Sequence, residues 1–146
     1  MTELEKAFSG EWFKAGNPVL KQERERSREL CYQLNQCNPS DRGARTAILN
    51  QLIGSAKGSY EIFSPFYCDY GKYITLGDHF FANYNCTILD GAPVTFGNDV
   101  RIGPNCTFCT INHAMEPQRR NEGYQIFKPI PVGNNVWFGA GVIVLP

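Results

Sequence analysis

The sequence predicts a mainly β fold, a parallel β-helix preceded by a small helical cap, on three observations. The second half of the chain repeats every six residues, with an apolar first position, usually a glycine second, and a small or β-branched fifth. A period of six fits neither the 3.6-residue helix nor the two-residue alternation of a flat strand. The first half has helical spacing instead. A chain that turns three corners per coil, with positions one and five facing inward, accounts for the six-residue period.

The repeats extend from Leu76 to Pro146 with two irregularities. Leu76 and Phe96 are 20 residues apart, whereas three hexapeptides make a coil of 18. We therefore expect the two extra residues to form a bulge at a corner. The turn-rich residues 90–93 are the predicted place. A longer polar break covers residues 111–129 and holds little that could pack. We expect it to be a loop that leaves a rigid scaffold and rejoins it, and such loops often carry function.

We assign residues 1–58 to the helical cap and residues 59–146 to the β-helix. The predicted helices cover residues 2–10, 17–34 and about 41–54. The first has apolar residues four apart, as on one face of an amphipathic helix. The second begins with Asn-Pro, which suits an N-cap followed by proline in the first turn. The third follows an Asn-Pro-Ser-Asp turn and ends at a glycine.

Length, charge and hydropathy exclude several classes of function. A chain of 146 residues is enough for one domain with a real core. With 14 basic and 14 acidic residues it carries no charge pattern that suggests nucleic acid or an anionic membrane as a partner. No apolar run approaches the roughly 20 residues of a membrane span, and the charged N-terminus lacks the core of a signal peptide. We therefore expect a cytoplasmic protein.

The six cysteines are interpreted as structural. A reducing cytosol disfavours disulfides. Cys106 and Cys109 have zinc-like spacing, but no second pair completes a site, so we expect no metal. Cys106 also falls at the fifth position of its hexapeptide, where a small residue faces inward. A free cysteine behaves as a small hydrophobic residue in such a place.

Five motifs occur in order along the chain, at residues 65–71, 76–85, 112–117, 128–130 and 133–139. They read PFYCDYG, LGDHFFANYN, NHAMEP, KPI and GNNVWFG. Together they resemble the sugar O-acetyltransferases, most closely the maltose and galactoside acetyltransferase group of the hexapeptide-repeat acyltransferases. The N-terminal helical segments also fit the cap of that group. The resemblance implies a left-handed parallel β-helix, a homotrimer with active sites between subunits, acetyl-CoA as donor and a sugar hydroxyl as acceptor.

Acetyl transfer from a thioester to an alcohol needs a base for the hydroxyl proton and stabilisation of an oxyanion. His79 and His113 are the two candidates for a base near neutral pH. His79 lies inside a repeat, at a position expected to face outward. His113 opens the predicted loop, as the catalytic histidine of the family does. The resemblance therefore implies direct transfer with His113 as general base and no acyl-enzyme.

The resemblance also assigns residues to the acceptor. Asn83 matches an active-site asparagine near the acetyl group and the acceptor, although an asparagine at a corner can simply bond its own backbone. Asp69, Asp90 and Arg24 match positions that contact the acceptor. Asp90 could instead orient His113, and aspartate is also an ordinary turn residue.

Three further residues, with Asn83, match the acetyl-CoA site of the family. Gly139 and Ala140 resemble the place where a backbone N–H contacts the acetyl oxygen, so that Ala140 acts through its main chain. Trp137 matches a wall of the pantetheine channel, or it packs between subunits.

The chain departs from the family pattern at Ala114, where a proline is usual, and at Gln125, where many members carry glutamate. We expect these departures to affect acceptor preference more than chemistry. Relatives continue for several hexapeptides beyond Pro146, which implies a chain truncated at its C-terminus. Two alternatives therefore stay open: an inactive β-helical scaffold, and an acetyltransferase for a non-sugar, antibiotic-like hydroxyl. The helical cap favours sugars, because the antibiotic enzymes generally lack it.

Overall fold

A computed structural model describes all 146 residues of the chain. It contains four helices, α1 (Glu3–Ser9), α2 (Pro18–Gln36), α3 (Arg42–Leu52) and α4 (Pro117–Asn121). Its strands are β1 (Phe13–Lys14), β2 (Ser55–Ala56), β3 (Tyr60–Ile62), β4 (Phe66–Cys68), β5 (Ile74–Leu76), β6 (Phe80–Ala82), β7 (Cys86–Leu89), β8 (Val94–Phe96), β9 (Arg101–Ile102), β10 (Thr107–Cys109), β11 (Ile111–His113), β12 (Tyr124–Phe127), β13 (Ile130–Val132), β14 (Trp137–Phe138) and β15 (Ile143–Val144). None of the helices has the length and apolar character needed to cross a bilayer.

The three predicted cap helices are confirmed, and side chains fix where each begins. Thr2 and Glu5 form a reciprocal capping box at α1. The Asn17 side chain accepts a 2.9 Å hydrogen bond from the Val19 N–H at the start of α2. The Asp41 side chain accepts from the Ala44 N–H, in the first turn of α3, at 3.1 Å. The capping residues act on the first turn of their own helix, so the helix starts can be predicted without knowledge of tertiary contacts.

Twelve strands form three parallel four-stranded sheets. Their orders are β2-β5-β8-β13, β3-β6-β9-β14 and β4-β7-β10-β15. Successive strands lie in successive sheets, so the chain visits all three sheets once per coil. This confirms the predicted parallel β-helix with three corners per coil.

The connections between successive strands form three corners. The first corner consists of residues 57–59, 77–79, 97–99 and 133–135; the second of 63–65, 83–85, 103–105 and 139–141; the third of 69–73, 90–93 and 110–129.

Coil length is set at the third corner. Thr75 pairs with Thr95, 20 positions later in the next coil. The two extra residues per coil lie at residues 90–93, as the sequence predicts, because the other two corners are shorter. The long break starts from the same corner, after which Arg101 pairs with Trp137, 36 positions later. Surplus chain therefore leaves the coil at one corner only.

Inward positions of the hexapeptides form the main core. Phe96 and Ile102, at first positions, are buried, as are Val100 and Cys106 at fifth positions. The interior contains a column of aromatic rings with neighbouring centroids 5.0–5.2 Å apart, formed by Phe80, Phe96, Phe108 and Phe138. Such edge-on contacts are favourable beyond the area they bury. The burial of Cys106 agrees with its structural interpretation.

Helices α2 and α3 are joined to the first coils by buried polar contacts. The Asn35 carboxamide donates to the Phe66 carbonyl at 3.0 Å and accepts from the Phe66 N–H at 2.9 Å. The buried Arg45 guanidinium donates to the Ile62 carbonyl and the Ser64 hydroxyl at 2.7 and 2.8 Å. The first coil strand, β2, starts at Ser55, a few residues before the boundary expected from the sequence.

The break at residues 111–129 differs from the loop that the sequence predicts. It is an ordered hairpin of β11 and β12, with the short helix α4 at its tip and β1 of the cap as a third antiparallel strand. Ala114, Gln125 and Phe127 are buried. Gln125 pairs with Phe13 of the cap, and Phe127 packs on both Phe13 and the third corner at Ala92. Sequence spacing alone does not reveal the partner in the cap.

Close stacking explains the glycines of the first corner. The Asn134 carboxamide oxygen accepts from the Asn98 N–H at 2.7 Å, and that of Asn98 accepts from the Asp78 N–H at 2.9 Å. This ladder brings successive coils into contact. A Cβ on Gly77 would overlap the Gly97 carbonyl group. A substitution there is therefore a steric problem of coil spacing, and no positive φ is involved.

Gly77→Ala should lower the free energy of unfolding by about 1–3 kcal/mol, the usual cost of overpacking, because the methyl group meets backbone that cannot rotate away. Gly133→Ala is the matched control, since it stands at the same corner and its Cβ would meet nothing within 4 Å. Urea titrations of the two variants measure the difference. Equal unfolding midpoints would contradict this account of the corner.

Candidate active site

His113 lies where the chain leaves the third corner. It ends β11 opposite Gln125 of β12, and its side chain is exposed. The strand pairing fixes the backbone of the histidine, while the imidazole remains accessible to solvent. His113 is therefore held on an ordered edge rather than on a free loop.

The base of the hairpin is tied to the coil below it. The buried Thr110 hydroxyl donates to the Leu89 carbonyl at 2.7 Å and accepts from the Ala92 N–H at 3.1 Å. The Lys128 N–H donates to the Thr110 carbonyl at 2.9 Å, which brings the two ends of the excursion together. The path of β11 thus starts from a fixed point three residues before His113.

A second hydrophobic cluster joins the hairpin to the cap. It consists of buried side chains from α1, β1, α2, the third corner and β12, namely Ala7, Phe13, Leu20, Tyr70, Ala92 and Phe127. The rings of Phe13 and Phe127 meet edge-on at 4.7 Å. Because α1, β1, α2, the third corner and β12 all contribute to this cluster, the cap and the hairpin depend on each other for their position.

Arg24 and Asp69 approach the third corner from α2 and β4. The Arg24 guanidinium donates to the Tyr70 hydroxyl at 2.8 Å. The buried Ser27 hydroxyl, one turn further along α2, donates to the Asp69 carbonyl. Burial raises the pKa of the half-buried Asp69 carboxyl, and the Arg24 charge opposes this rise. The pair therefore offers one cationic and one acidic group at the same corner.

Asp90 occupies a supporting position at the third corner. Its carboxylate is fully buried and accepts from the Tyr70 N–H at 2.8 Å and the Tyr73 N–H at 3.2 Å. Burial raises its pKa to about 6, although these hydrogen bonds act in the opposite direction. A direct contact between Asp90 and an acceptor needs the turn to open. In this arrangement its carboxylate shapes the turn that carries Asp69.

The residues matched to acetyl-CoA lie at a different corner of the β-helix. Asn83, Gly139 and Ala140 belong to the second corner, and the 79% exposed Trp137 lies on the strand before it. The Asn83 oxygen accepts from the Tyr84 N–H at 2.8 Å, as expected for an asparagine that stabilises its own turn. This bond leaves the donor end of the carboxamide unused. Ala140 is exposed.

One chain therefore brings together only part of the predicted site. Arg24, Asp69, Asp90 and His113 share the third corner, whereas the acetyl-CoA set belongs to the second corner and its flanking strand. His79 lies at the first corner with its Nδ1 atom 3.0 Å from Asp99 Oδ1. No three His, Cys, Asp or Glu side chains of the chain are grouped to hold a metal ion.

Sequence reasoning missed the contributions of Tyr70 and Thr110 to the site. Tyr70 is buried and orients Arg24, and Thr110 anchors the hairpin. The signal for Tyr70 was its place in the motif that contains Asp69. Thr110 carried no signal, because a threonine at the end of a β-strand is common.

The buried Asp90 carboxyl predicts a specific pH dependence of stability. Its folded pKa, about 6, lies above the unfolded value of 3.8, so folding takes up a proton between these values. Below pH 3.8 the buried carboxyl contributes roughly 2–3 kcal/mol to the free energy of unfolding, and this contribution is lost as the pH rises through 6. Asp90→Asn should remove this slope in urea titrations from pH 4 to 7. Glu25→Gln, an exposed carboxyl on α2, is the control; parallel curves for wild type and Asp90→Asn would refute the assignment.

Comparisons with known proteins identify the family. Residues 6–58 match the maltose acetyltransferase hexapeptide capping motif. A provisionally named acetyltransferase of Staphylococcus haemolyticus is 45% identical over all of this chain and 77% of its own length. Among solved structures, a galactoside acetyltransferase in complex with coenzyme A superposes with a TM-score of 0.96 at 32% identity, covering 100% of this chain and 73% of that one.

A maltose O-acetyltransferase from Clostridium difficile superposes with a TM-score of 0.95 at 38% identity, covering 100% of this chain and 78% of that one. Both solved structures superpose over the whole of this chain and therefore share its fold over the common length. The protein is an acetyltransferase of the maltose and galactoside O-acetyltransferase group, within the hexapeptide-repeat family, and its fold is the left-handed parallel β-helix of that family.

Proposed function

We propose that the protein transfers an acetyl group from acetyl-CoA to a hydroxyl of a maltose-, glucose- or galactoside-like sugar, with His113 as general base. The observation that carries the proposal is the exposed His113 on an ordered strand at the corner that also holds Arg24 and Asp69. A base, a cation and an acidic acceptor group at one corner suit a polyhydroxylated substrate.

The proposed reaction is a direct transfer. The imidazole of His113 removes the proton of the acceptor hydroxyl, and the oxygen attacks the thioester carbonyl carbon of acetyl-CoA. The tetrahedral intermediate collapses by breaking the carbon–sulfur bond. The imidazolium then returns the proton to the departing thiolate, so that acetylated sugar and coenzyme A leave and the enzyme is unchanged. A positioned base of this kind usually contributes about 10²–10⁴-fold to the rate.

Acetyl-CoA is proposed to bind along the second corner, with Asn83, Trp137, Gly139 and Ala140. Exposure of Trp137 and Ala140 supports this, as does the open space around Gly139, where a Cβ would meet nothing within 4 Å. The Gly141 N–H donates to the Pro104 carbonyl of the coil below at 2.9 Å, whereas the Ala140 N–H makes no backbone hydrogen bond. The neighbouring Ala140 N–H is thus a suitable donor to an acetyl oxygen.

The separation of the two residue sets supports a homotrimer with active sites between subunits. A second copy can bring its second corner against the third corner of the first. The base and acceptor residues of one subunit would then face the acetyl-CoA residues of its neighbour. A threefold arrangement uses each corner pair once and closes.

A sugar is favoured over an antibiotic-like acceptor by the cap. Residues 6–58 match a capping motif that is named for maltose acetyltransferase, and Arg24 lies within it. The two departures from the family pattern, Ala114 and Gln125, are buried on the hairpin directly beside His113. Ala114 follows His113 in the chain and Gln125 pairs with it, so both departures are neighbours of the base.

His113→Ala should lower acetyl transfer at least about 10²-fold, because no other base replaces the imidazole. The matched control is His79→Ala, the second histidine, which lies at the first corner. A free-thiol assay with a panel of sugars and amino-alcohol antibiotics measures both rate and acceptor class. Near-wild-type transfer by His113→Ala would sink the general-base proposal, and calorimetry showing no acetyl-CoA binding at high micromolar concentration would favour the scaffold alternative.

Arg24→Ala should raise the acceptor KM and lower kcat/KM about tenfold or more, since it removes a charged hydrogen-bond donor. The KM for acetyl-CoA should stay unchanged, because Arg24 lies at the other corner. Arg28→Ala is the control, an exposed arginine one turn further along α2. Equal effects on both substrates would argue for a structural role of Arg24 instead.

A further inference from the structure

We propose that Arg119 is a positioning residue for His113, acting through a stack between the cap and the hairpin. The inference rests on the proposed role of His113 and adds a residue that lies outside the five sequence motifs. Its guanidinium group bridges two aromatic rings from two different parts of the chain. The first belongs to the cap and the second to the strand paired with that of His113.

The geometry of the stack is symmetrical. The Arg119 Cζ atom lies 5.1 Å from the ring centroid of Trp12, just before β1, and 5.1 Å from that of Tyr124, at the start of β12. Both distances are within the range of cation–π attraction. Lys14 Nζ lies 5.2 Å from the centroid of the same tyrosine. Two cations from separate elements therefore meet at the Tyr124 ring.

The aromatic faces are the specific partners of the Arg119 charge. The salt bridges of the chain involve Lys6, Lys72 and His79, and none includes Arg119. Arg119 is nevertheless half-buried, while most residues of the hairpin tip around it are exposed. An arginine that is partly withdrawn from water without a carboxylate indicates that stacking, rather than ion pairing, fixes its position.

The stack is connected to His113 through the backbone. The Tyr124 carbonyl accepts from the Ala114 N–H at 3.3 Å, and His113 is the residue before Ala114. On the cap side, the Ala15 N–H donates to the Gly123 carbonyl at 2.9 Å. A displacement of Tyr124 therefore moves the end of β11 directly.

The tip of the hairpin has little else to hold it. The second hydrophobic cluster reaches Phe127 near the base, but residues 115–123 are exposed or half-buried. Arg120 closes the turn internally by donating to the carbonyls of Ala114 and Met115 at 3.3 and 3.0 Å. The contacts that join this outer half to the cap are the Arg119 stack, the short β1 pairing, the Ala15–Gly123 hydrogen bond and the Lys14–Tyr124 contact. Loss of the stack should loosen the strand end that carries the imidazole.

Arg119→Ala, Arg119→Lys and the control Asn121→Ala, an exposed residue of the same short helix, test the proposal. The chain has two histidines, so imidazole NMR signals report on His113 with His79 as an internal reference. Arg119→Ala should shift or broaden the His113 signals, leave those of His79 unchanged, and speed amide exchange in β11 and β12 at least tenfold. Arg119→Lys, which keeps the charge but not the planar group, should give an intermediate result.

Activity supplies a second readout. Arg119→Ala should lower kcat about tenfold, change the pH profile of kcat/KM, and leave the KM for acetyl-CoA unchanged. Trp12→Leu, on the other side of the stack, should reproduce these effects, and the double variant should be no worse than either single one. This second variant also keeps the test decisive if one substitution prevents folding.

The outcomes separate the two proposals. Unchanged His113 signals and amide exchange in Arg119→Ala and Trp12→Leu would overturn the positioning role, whatever the activity. Retention of activity by His113→Ala would overturn the catalytic proposal, whatever the NMR signals.

Discussion

The structure depends on the requirement that each coil lies directly on the one below it. Backbone hydrogen bonds between parallel strands set this spacing on three faces, and the corners must follow it. The first corner does so with glycines at Gly77 and Gly97, where a side chain would meet the backbone of the next coil. Any additional residues must therefore leave the stack rather than widen it. They leave at the third corner, first as a short bulge at residues 90–93 and then as the hairpin that carries His113.

An excursion from a stacked coil loses the support of the stack, and the cap replaces that support. Phe127 packs on Phe13 and the second hydrophobic cluster, and Thr110 anchors the base of the hairpin to Leu89. The cap thus has two effects: it covers the first coils through Asn35 and Arg45, and it builds the wall against which the hairpin lies. This dual contact explains why a helical cap and an ordered hairpin that carries His113 occur together in one short chain.

Local and periodic features of this fold could be predicted from the sequence, and long-range ones could not. The six-residue period gave the coils, capping residues gave the helix starts, and the spacing of Leu76 and Phe96 located the surplus at residues 90–93. The order within the 111–129 break was missed, because Gln125 and Phe127 contact Phe13, in a strand about a hundred residues earlier. Asp90 illustrates the same limit. The sequence does not distinguish an aspartate whose carboxylate faces a substrate from one whose carboxylate accepts from two backbone N–H groups, as Asp90 does.

The division of the site between two corners follows from the same stacking constraint. In the β-helix, residues at one corner stack on one another, but a sheet separates them from the residues of the next corner. His113 at the third corner and Ala140 at the second are therefore kept apart within one chain. A flexible fold could bring such groups together by bending, whereas a stacked prism cannot. Under the proposed assembly, the second set comes from another copy, and the rigidity that separates the two sets in one chain would align them between chains. The proposed assembly and the proposed chemistry then depend on each other. A rigid β-helix with a base at one corner and an acetyl-CoA site at another has a complete active site only when a second subunit supplies the missing residues.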